Sequence, residues 1–107
     1  STFSIAGETY TKGFTIGTYA YGGYASFNIG GNYTTLTGVA GNVDGVNYSV
    51  TYTVLGDGEV LGTIDVKGGG LPTEFSFDVT GIMQLNFIAT GRDNYAEGVG
   101  FGNVVLK

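Results

Sequence analysis

The chain has 107 residues, enough for one globular domain and too few for two hydrophobic cores. It contains no Cys and no His, which excludes disulfides and thiolate chemistry and removes both the favoured zinc ligands and the usual general base near neutral pH. The net charge is −5 and the few basic residues lie far apart, which argues against a nucleic-acid or membrane partner.

Short strands joined by glycine turns are the pattern of the whole chain. Its 21 glycines interrupt runs in which apolar and polar residues alternate, whereas no stretch keeps a helical period. In the N-terminal half, this alternation predicts strands over residues 11–18, 23–29 and 33–40.

The clearest strand prediction covers residues 47–55, where Tyr48, Val50, Tyr52 and Val54 fall on one face. After a hairpin turn at Gly56-Asp57-Gly58, further strands are predicted over residues 59–66, 74–79, 85–89 and 99–106. About eight or nine strands at this spacing predict a single all-β domain over residues 1–107, folded as a two-sheet antiparallel β-sandwich.

Three segments in a fixed order carry a family resemblance. They are residues 31–38 (GNYTTLTG), 54–61 (VLGDGEVL) and 77–87 (FDVTGIMQLNF). In this order and spacing the chain resembles the NPCBM family, the "novel putative carbohydrate-binding modules". The resemblance implies a galactose-binding-like sandwich with jelly-roll topology, which recognises a polysaccharide or glycan.

The resemblance also implies a setting for the domain. Modules of this kind are attached to catalytic or surface domains, so the domain is expected to be part of a larger bacterial protein that is secreted or displayed on the cell surface. The closing segment departs from the family pattern, which commonly reads Tyr-Asp-His-Ala-Asp-Trp. Here Glu97 stands at the Asp, Phe101 stands at the Trp, and the His has no equivalent. The resemblance therefore implies a fold and not a particular sugar.

The most polar stretch of the chain is the first candidate ligand site. Arg92, Asp93, Asn94 and Tyr95, together with Glu97, combine a bidentate donor, carboxylates, an amide and a ring. Such a mixture suits sugar hydroxyls and the apolar face of a pyranose. The alternative is a solvated connection in which Arg92 and Asp93 neutralise each other.

A tyrosine-rich turn is the second candidate. Tyr19 and Tyr21 share a face if their strand continues, and the two glycines that follow would let a ligand come close. The alternative is that these rings are half-buried packing residues at the end of the sandwich.

No cofactor is required, but sandwiches of the resembled class often hold a structural calcium ion. Glu8, Asp93 and Glu97 are the candidate ligands, if the N-terminus and the end loops converge. Asp57 and Glu59 form a hairpin turn with too few oxygens for calcium, so a turn is the preferred interpretation there.

Two functions from different classes follow. The first is a non-catalytic carbohydrate-binding module that uses the polar end loop and the tyrosines. The second is a structural or adhesive β-sandwich of a bacterial surface protein that binds protein or acts as a spacer. An enzyme is not expected, because no pair of carboxylates has the spacing of a known catalytic site.

Overall fold

The computed structural model describes residues 3–5, 7–10, 13–18, 24–45, 47, 49–90 and 96–107. These residues form strands and turns, and no helix among them has the length and apolarity needed to cross a membrane. The strands are β1 (Phe3–Ile5), β2 (Glu8–Tyr10), β3 (Gly13–Thr18), β4 (Tyr24–Asn28), β5 (Thr35–Asn42), β6 (Val50–Gly56), β7 (Glu59–Val66), β8 (Thr73–Asp78), β9 (Gln84–Thr90) and β10 (Ala96–Leu106).

Two four-stranded antiparallel sheets hold most of these strands. Sheet I has the order β3-β10-β5-β8, and sheet II has the order β4-β9-β6-β7. From β3 to β10, successive strands pass from one sheet to the other except at the β6–β7 hairpin, which is the strand arrangement of a jelly roll. The predicted two-sheet antiparallel sandwich is therefore confirmed. The predicted strands correspond to β3 through β10, whereas the separate β1–β2 hairpin was not predicted.

The core follows directly from the period-two pattern. Val50, Tyr52 and Val54 are at most 2% exposed, and the residues between them on β6 lie at the outer face. The faces predicted for Val50, Tyr52 and Val54 are confirmed, whereas Tyr48 lies outside the described residues. The predicted strand began three residues early, because residues 47 and 49 belong to the connection that precedes β6.

Aromatic rings join the two sheets across this core. Phe101 of sheet I is fully buried and packs edge-to-face on Tyr52 of sheet II, with ring centroids 5.1 Å apart. It also packs edge-to-face on Phe87, at 5.4 Å. Such pairs contribute about 0.5–1.5 kcal/mol each beyond the area they bury, so Phe101 is a central residue of the fold.

The β6–β7 hairpin has the turn that its sequence predicts. Asp57 has φ of 50° and Gly58 has φ of 84°, so both central residues are left-handed, as a type I′ turn requires. Asp and Gly are the residues that tolerate this backbone best. The interpretation of Asp57-Gly58 as a hairpin turn is confirmed.

Candidate functional site

Four connections between strands begin and end at the same end of the sandwich, which we call the loop end. In sheet I, Thr18 pairs with Ala96 and Asn42 pairs with Val99. In sheet II, Thr51 pairs with Thr90. Because neighbouring strands are antiparallel, these pairs place the ends of the strands together. The loop-end connections are residues 19–23, 43–49, 67–72 and 91–95.

The two predicted ligand segments are connections of this loop end. Residues 19–23 follow Thr18 and residues 91–95 precede Ala96, and these two flanking residues are paired across sheet I. The sequence offered the two segments as separate candidates, and the strand register brings their anchoring residues side by side. The predicted residues Tyr19, Tyr21, Arg92, Asp93, Asn94 and Tyr95 themselves lie outside the described residues.

The remaining predicted site residues are Glu97 and Glu8. Glu97 lies on β10, opposite Gly17 of β3, at the loop end, and only its backbone is described. Glu8 is exposed on β2. No group of three acidic side chains that could hold a metal ion occurs among the described residues. Asp93 and the side chain of Glu97 lie outside that part of the chain, so the calcium site stays a prediction.

The described part of the loop end contains a depression of about 320 Å³ between two connections. The end of β5 contributes Asn42, the connection after it contributes Asp44, and the connection after β7 contributes Gly69, Gly70 and Leu71. Asn42 is 8% exposed, whereas Leu71 is 81% exposed. These residues were not singled out from the sequence, because nothing in the local sequence shows that the two connections meet.

Hydrogen bonds to the backbone hold these connections in place. The carboxylate of Asp44 accepts from the N–H of Gly7, at 3.1 and 3.3 Å, and so fastens the turn between β1 and β2 to the loop end. The N–H of Gly68 donates to the hydroxyl of Ser49 at 3.1 Å. Gly69 has φ of 70°, a left-handed backbone that favours glycine. The depression is thus built by specific contacts between distant segments.

The chemistry of this depression suits an uncharged polar ligand. Asn42 offers an amide, Asp44 a carboxylate and the glycines their peptide groups, while Leu71 provides an exposed apolar surface. A few placed polar groups beside an apolar wall are typical of small-molecule sites. The lining has no cation, so an anionic ligand would have no favourable charge to meet there.

Phe101, which stands at the family's Trp, does not belong to this site. Its side chain is fully buried between the sheets, against Tyr52 and Phe87. The aromatic residue at this position therefore packs the core and is not available to stack on a ligand.

Comparison with solved structures finds the same fold in carbohydrate-binding modules. One is the CBM51-2 module of Clostridium perfringens ZmpB in complex with GlcNAc, at TM-score 0.64 and 19% identity, covering 96% of this chain and 25% of that chain. Another is the tandem CBM51 modules of the family 98 glycoside hydrolase from Streptococcus pneumoniae, at TM-score 0.77 and 13% identity, covering 98% and 35%. A third is the CBM51 of Clostridium perfringens GH95 in complex with methyl-galactose, at TM-score 0.66 and 19% identity, covering 99% and 79%.

The chain thus spans about a quarter to a third of the first two of these solved chains. No curated protein sequence matches it significantly. The family model of the NPCBM/NEW2 domain matches residues 1–104, nearly the whole chain, which agrees with the resemblance carried by the three sequence segments. The chain belongs to the NPCBM/NEW2 domain family.

Proposed function

We propose that this domain is a non-catalytic carbohydrate-binding module whose ligand site lies at the loop end. Family membership supports the class of ligand. The observation that supports this location is the strand register, which pairs Thr18 with Ala96, the residues that flank segments 19–23 and 91–95, at the end where the depression around Asn42 and Asp44 lies. Two solved neighbours hold neutral sugars, GlcNAc and methyl-galactose, which makes uncharged hexoses the first ligands to test.

The expected affinity is modest. Two or three hydrogen-bonded hydroxyls and one stacked ring support binding of about −4 to −8 kcal/mol, which corresponds to millimolar to micromolar Kd values. Tethering raises the usefulness of such weak binding, because an attached domain or a neighbouring module sees a high local concentration of the glycan. We therefore propose that the domain targets attached catalytic or surface domains to a polysaccharide.

We propose the setting of the domain, the kind of protein to which it belongs, from the proteins that contain the similar solved structures. Those structures are modules of bacterial glycoside hydrolases and of a protein with an M60 catalytic domain, and each belongs to a longer chain. A bacterial protein that is secreted or displayed on the cell surface would bring the module to an extracellular glycan. Calcium at Glu8, Asp93 and Glu97 is a separate proposal that the glycan site does not require.

A glycan and polysaccharide screen of the isolated domain tests the proposed function. We expect binding to at least one neutral glycan, and no turnover of chromogenic glycosides. Arg92→Ala and Tyr95→Ala should each lower the affinity for the best glycan of the screen by about tenfold or more, equivalent to about 1.4 kcal/mol. Glu59→Gln, in the hairpin at the opposite end, is the matched control and should bind as the parent does.

The screen also separates the two classes of function. If no glycan binds and the domain instead captures one specific protein, the adhesive alternative replaces the carbohydrate-binding module. If glycans bind but Arg92→Ala and Tyr95→Ala behave like Glu59→Gln, the class of ligand stands and the assignment to residues 91–95 is wrong.

A further inference from the structure

A second depression lies on the outer face of sheet I, away from the loop end. It measures about 530 Å³, and Thr37 of β5, Glu74 and Ser76 of β8, and Asn103 of β10 line it. Thr37 and Ser76 stand opposite each other in the β5–β8 ladder. All four side chains are exposed, while Leu36 and Phe75, which precede Thr37 and Ser76 in their strands, point into the core. The depression therefore opens on the outer face of sheet I, where Gly38, Val39 and the buried Phe75 complete its lining, and it shares no lining residue with the first site.

An irregular backbone places Asn103 at this depression. Gly102 pairs with Val39 and Val105 pairs with Thr37, so two residues of β10 stand opposite one residue of β5, as in a β-bulge. Asn103 has φ of 51°, a left-handed conformation that is unfavourable for most residues and that Asn tolerates better than others. Bulges and left-handed residues are frequent at functional sites, where they redirect a side chain.

The polar groups around this depression do not pair with one another. In the described part of the chain, the side chains of Thr37, Glu74, Ser76 and Asn103 make no hydrogen bond to the protein. On the outer face of sheet II, several of the described polar side chains are paired with one another. There the hydroxyl of Thr51 donates to the carboxylate of Asp65 at 2.8 Å, and the hydroxyl of Ser26 donates to the amide oxygen of Asn86. At the sheet I depression, by contrast, all four of these described side chains leave their donors and acceptors to be satisfied from outside.

The groups present select the chemistry of a ligand. One carboxylate, one amide and two hydroxyls can accept from and donate to sugar hydroxyls, and Val39 adds an apolar surface beside them. The lining has no cation, and Glu74 would repel an anion. A metal ion would find a single carboxylate, where calcium takes six to eight oxygens. An uncharged sugar unit is the ligand that fits these groups.

We propose that this depression is a second glycan-contacting site, which binds a neutral hexose unit through Thr37, Glu74, Ser76 and Asn103. The proposal rests on the proposed function for the class of ligand and on separate residues for the site. Asn42 of the first site and Thr37 of the second belong to the same strand, five residues and so roughly 17 Å apart. A branched or extended glycan that reached both would bind with higher avidity than either site alone provides.

Titration of the ¹⁵N-labelled domain followed by NMR tests the second site, with methyl-galactose, GlcNAc and the best ligand of the glycan screen as probes. We expect the amides of Thr37, Ser76 and Asn103 to shift along a saturation curve of their own. The amides of Asn42 and Leu71 report the loop end in the same spectra. Glycerol at matched concentration is the control for unspecific polyol effects.

Two variants remove the proposed contacts without disturbing the backbone. Asn103→Gly tolerates the left-handed backbone conformation and removes the side-chain amide, and Glu74→Gln removes the negative charge. Each variant should raise the Kd obtained from the saturation curve of the second site by about tenfold or more. The shifts at the loop end should remain unchanged. Glu59→Gln, on β7 of sheet II, is the matched control for loss of a surface carboxylate.

The outcomes separate the two proposals. Saturable shifts at the loop end alone overturn the second site and leave the proposed function standing. Shifts at the sheet I amides alone support the second site and overturn the loop end as the ligand site. Shifts at Thr37, Ser76 and Asn103 that do not saturate with any of the three probes, or that glycerol reproduces, overturn the second site. So do unchanged shifts in both variants.

Discussion

The carboxylate of Asp57, in the turn between β6 and β7, accepts a hydrogen bond at 3.1 Å from the backbone N–H of Met83, in the connection between β8 and β9. It also accepts from the N–H of Gln84, at 3.0 Å, while the N–H of Asp57 itself donates to the carbonyl of Gln84, at 2.9 Å. One side chain thus fastens two connections at the end of the sandwich opposite the loop end.

Replacing Asp57 tests this relationship. Asp57→Asn keeps a residue that tolerates the left-handed backbone but removes the charge, so the free energy of unfolding should fall by about 1–2 kcal/mol. Asp57→Ala loses the acceptor entirely and should lower the free energy by about 1 kcal/mol more, because alanine is strained at positive φ. Urea unfolding measures both. Glu59→Gln is the control, expected within about 0.5 kcal/mol of the parent, and an Asp57→Asn variant as stable as that control would contradict the assignment.

The pH response of Asp78 provides a second test. The hydroxyl of Thr80 donates to its carboxylate at 2.7 Å and the N–H of Thr80 at 2.9 Å, and these bonds hold the pKa of Asp78 below its ordinary value of 3.8. A lowered pKa means that the stabilising contribution of this group is present above the ordinary value and is lost as pH falls through the folded-state pKa. Thr80→Val removes the hydroxyl, the larger cause, and should raise the pKa toward 3.8.

NMR titration of the Asp78 carboxyl measures that change directly. Thr63→Val, which removes an exposed hydroxyl from β7, is the matched control and should leave the titration of Asp78 unaltered. A pKa of Asp78 that is the same in Thr80→Val and in the parent would show that the hydroxyl bond has no influence in solution.

Substitution of Phe101 tests whether the Trp common at this position in the family would fit this core. Because the side chain is fully buried among Tyr52 and Phe87, Phe101→Trp should overpack the core and lower the free energy of unfolding by about 1–3 kcal/mol. Phe101→Ala should lower it by about 3–5 kcal/mol through loss of contacts and a cavity. Val105→Ala, a half-exposed position of the same strand, should change it by about 0.5 kcal/mol or less. A Phe101→Trp domain as stable as the parent would show that the core can relax around the larger ring.

Calcium removal tests the proposed metal ligands. If Glu8, Asp93 and Glu97 hold a structural ion, added calcium should raise the Tm and a chelator should lower it, because a ligand that binds only the folded state stabilises it. Glu97→Gln should abolish the difference, while Glu59→Gln should retain it. A Tm indifferent to both chelator and calcium would remove the metal site from consideration.

The segments that carried the family resemblance have structural explanations at the end opposite the loop end. Asp57-Gly58 forms the type I′ turn, and Asp78 binds the backbone and hydroxyl of Thr80 in the connection that leads to β9. Val79 is fully buried and donates its N–H to the carbonyl of Thr34, at 2.9 Å. These residues identify the fold because they build its turns, and they therefore say little about which ligand the domain binds.

The local sequence pattern was sufficient to predict the strands, their buried faces and the Asp-Gly turn. Alternation of apolar and polar residues and the preference for a left-handed turn both depend on only a few neighbouring residues. The same pattern was insufficient for the β1–β2 hairpin, whose strands have three residues each and too little alternation to detect. It also gave no sign that Asn42 and Leu71 would share a depression, or that Asn103 would sit in a bulge beside Glu74.

Those features depend on which strands become neighbours and in what register, and residues far apart in the chain fix both. The chain's own order of apolar stripes and glycines determined that two layers of strands would form. Only the folded sandwich decided which connections meet at one end and which polar groups on its outer faces are left unpaired, because pairing across a sheet and packing between sheets are set by contacts that no short segment contains.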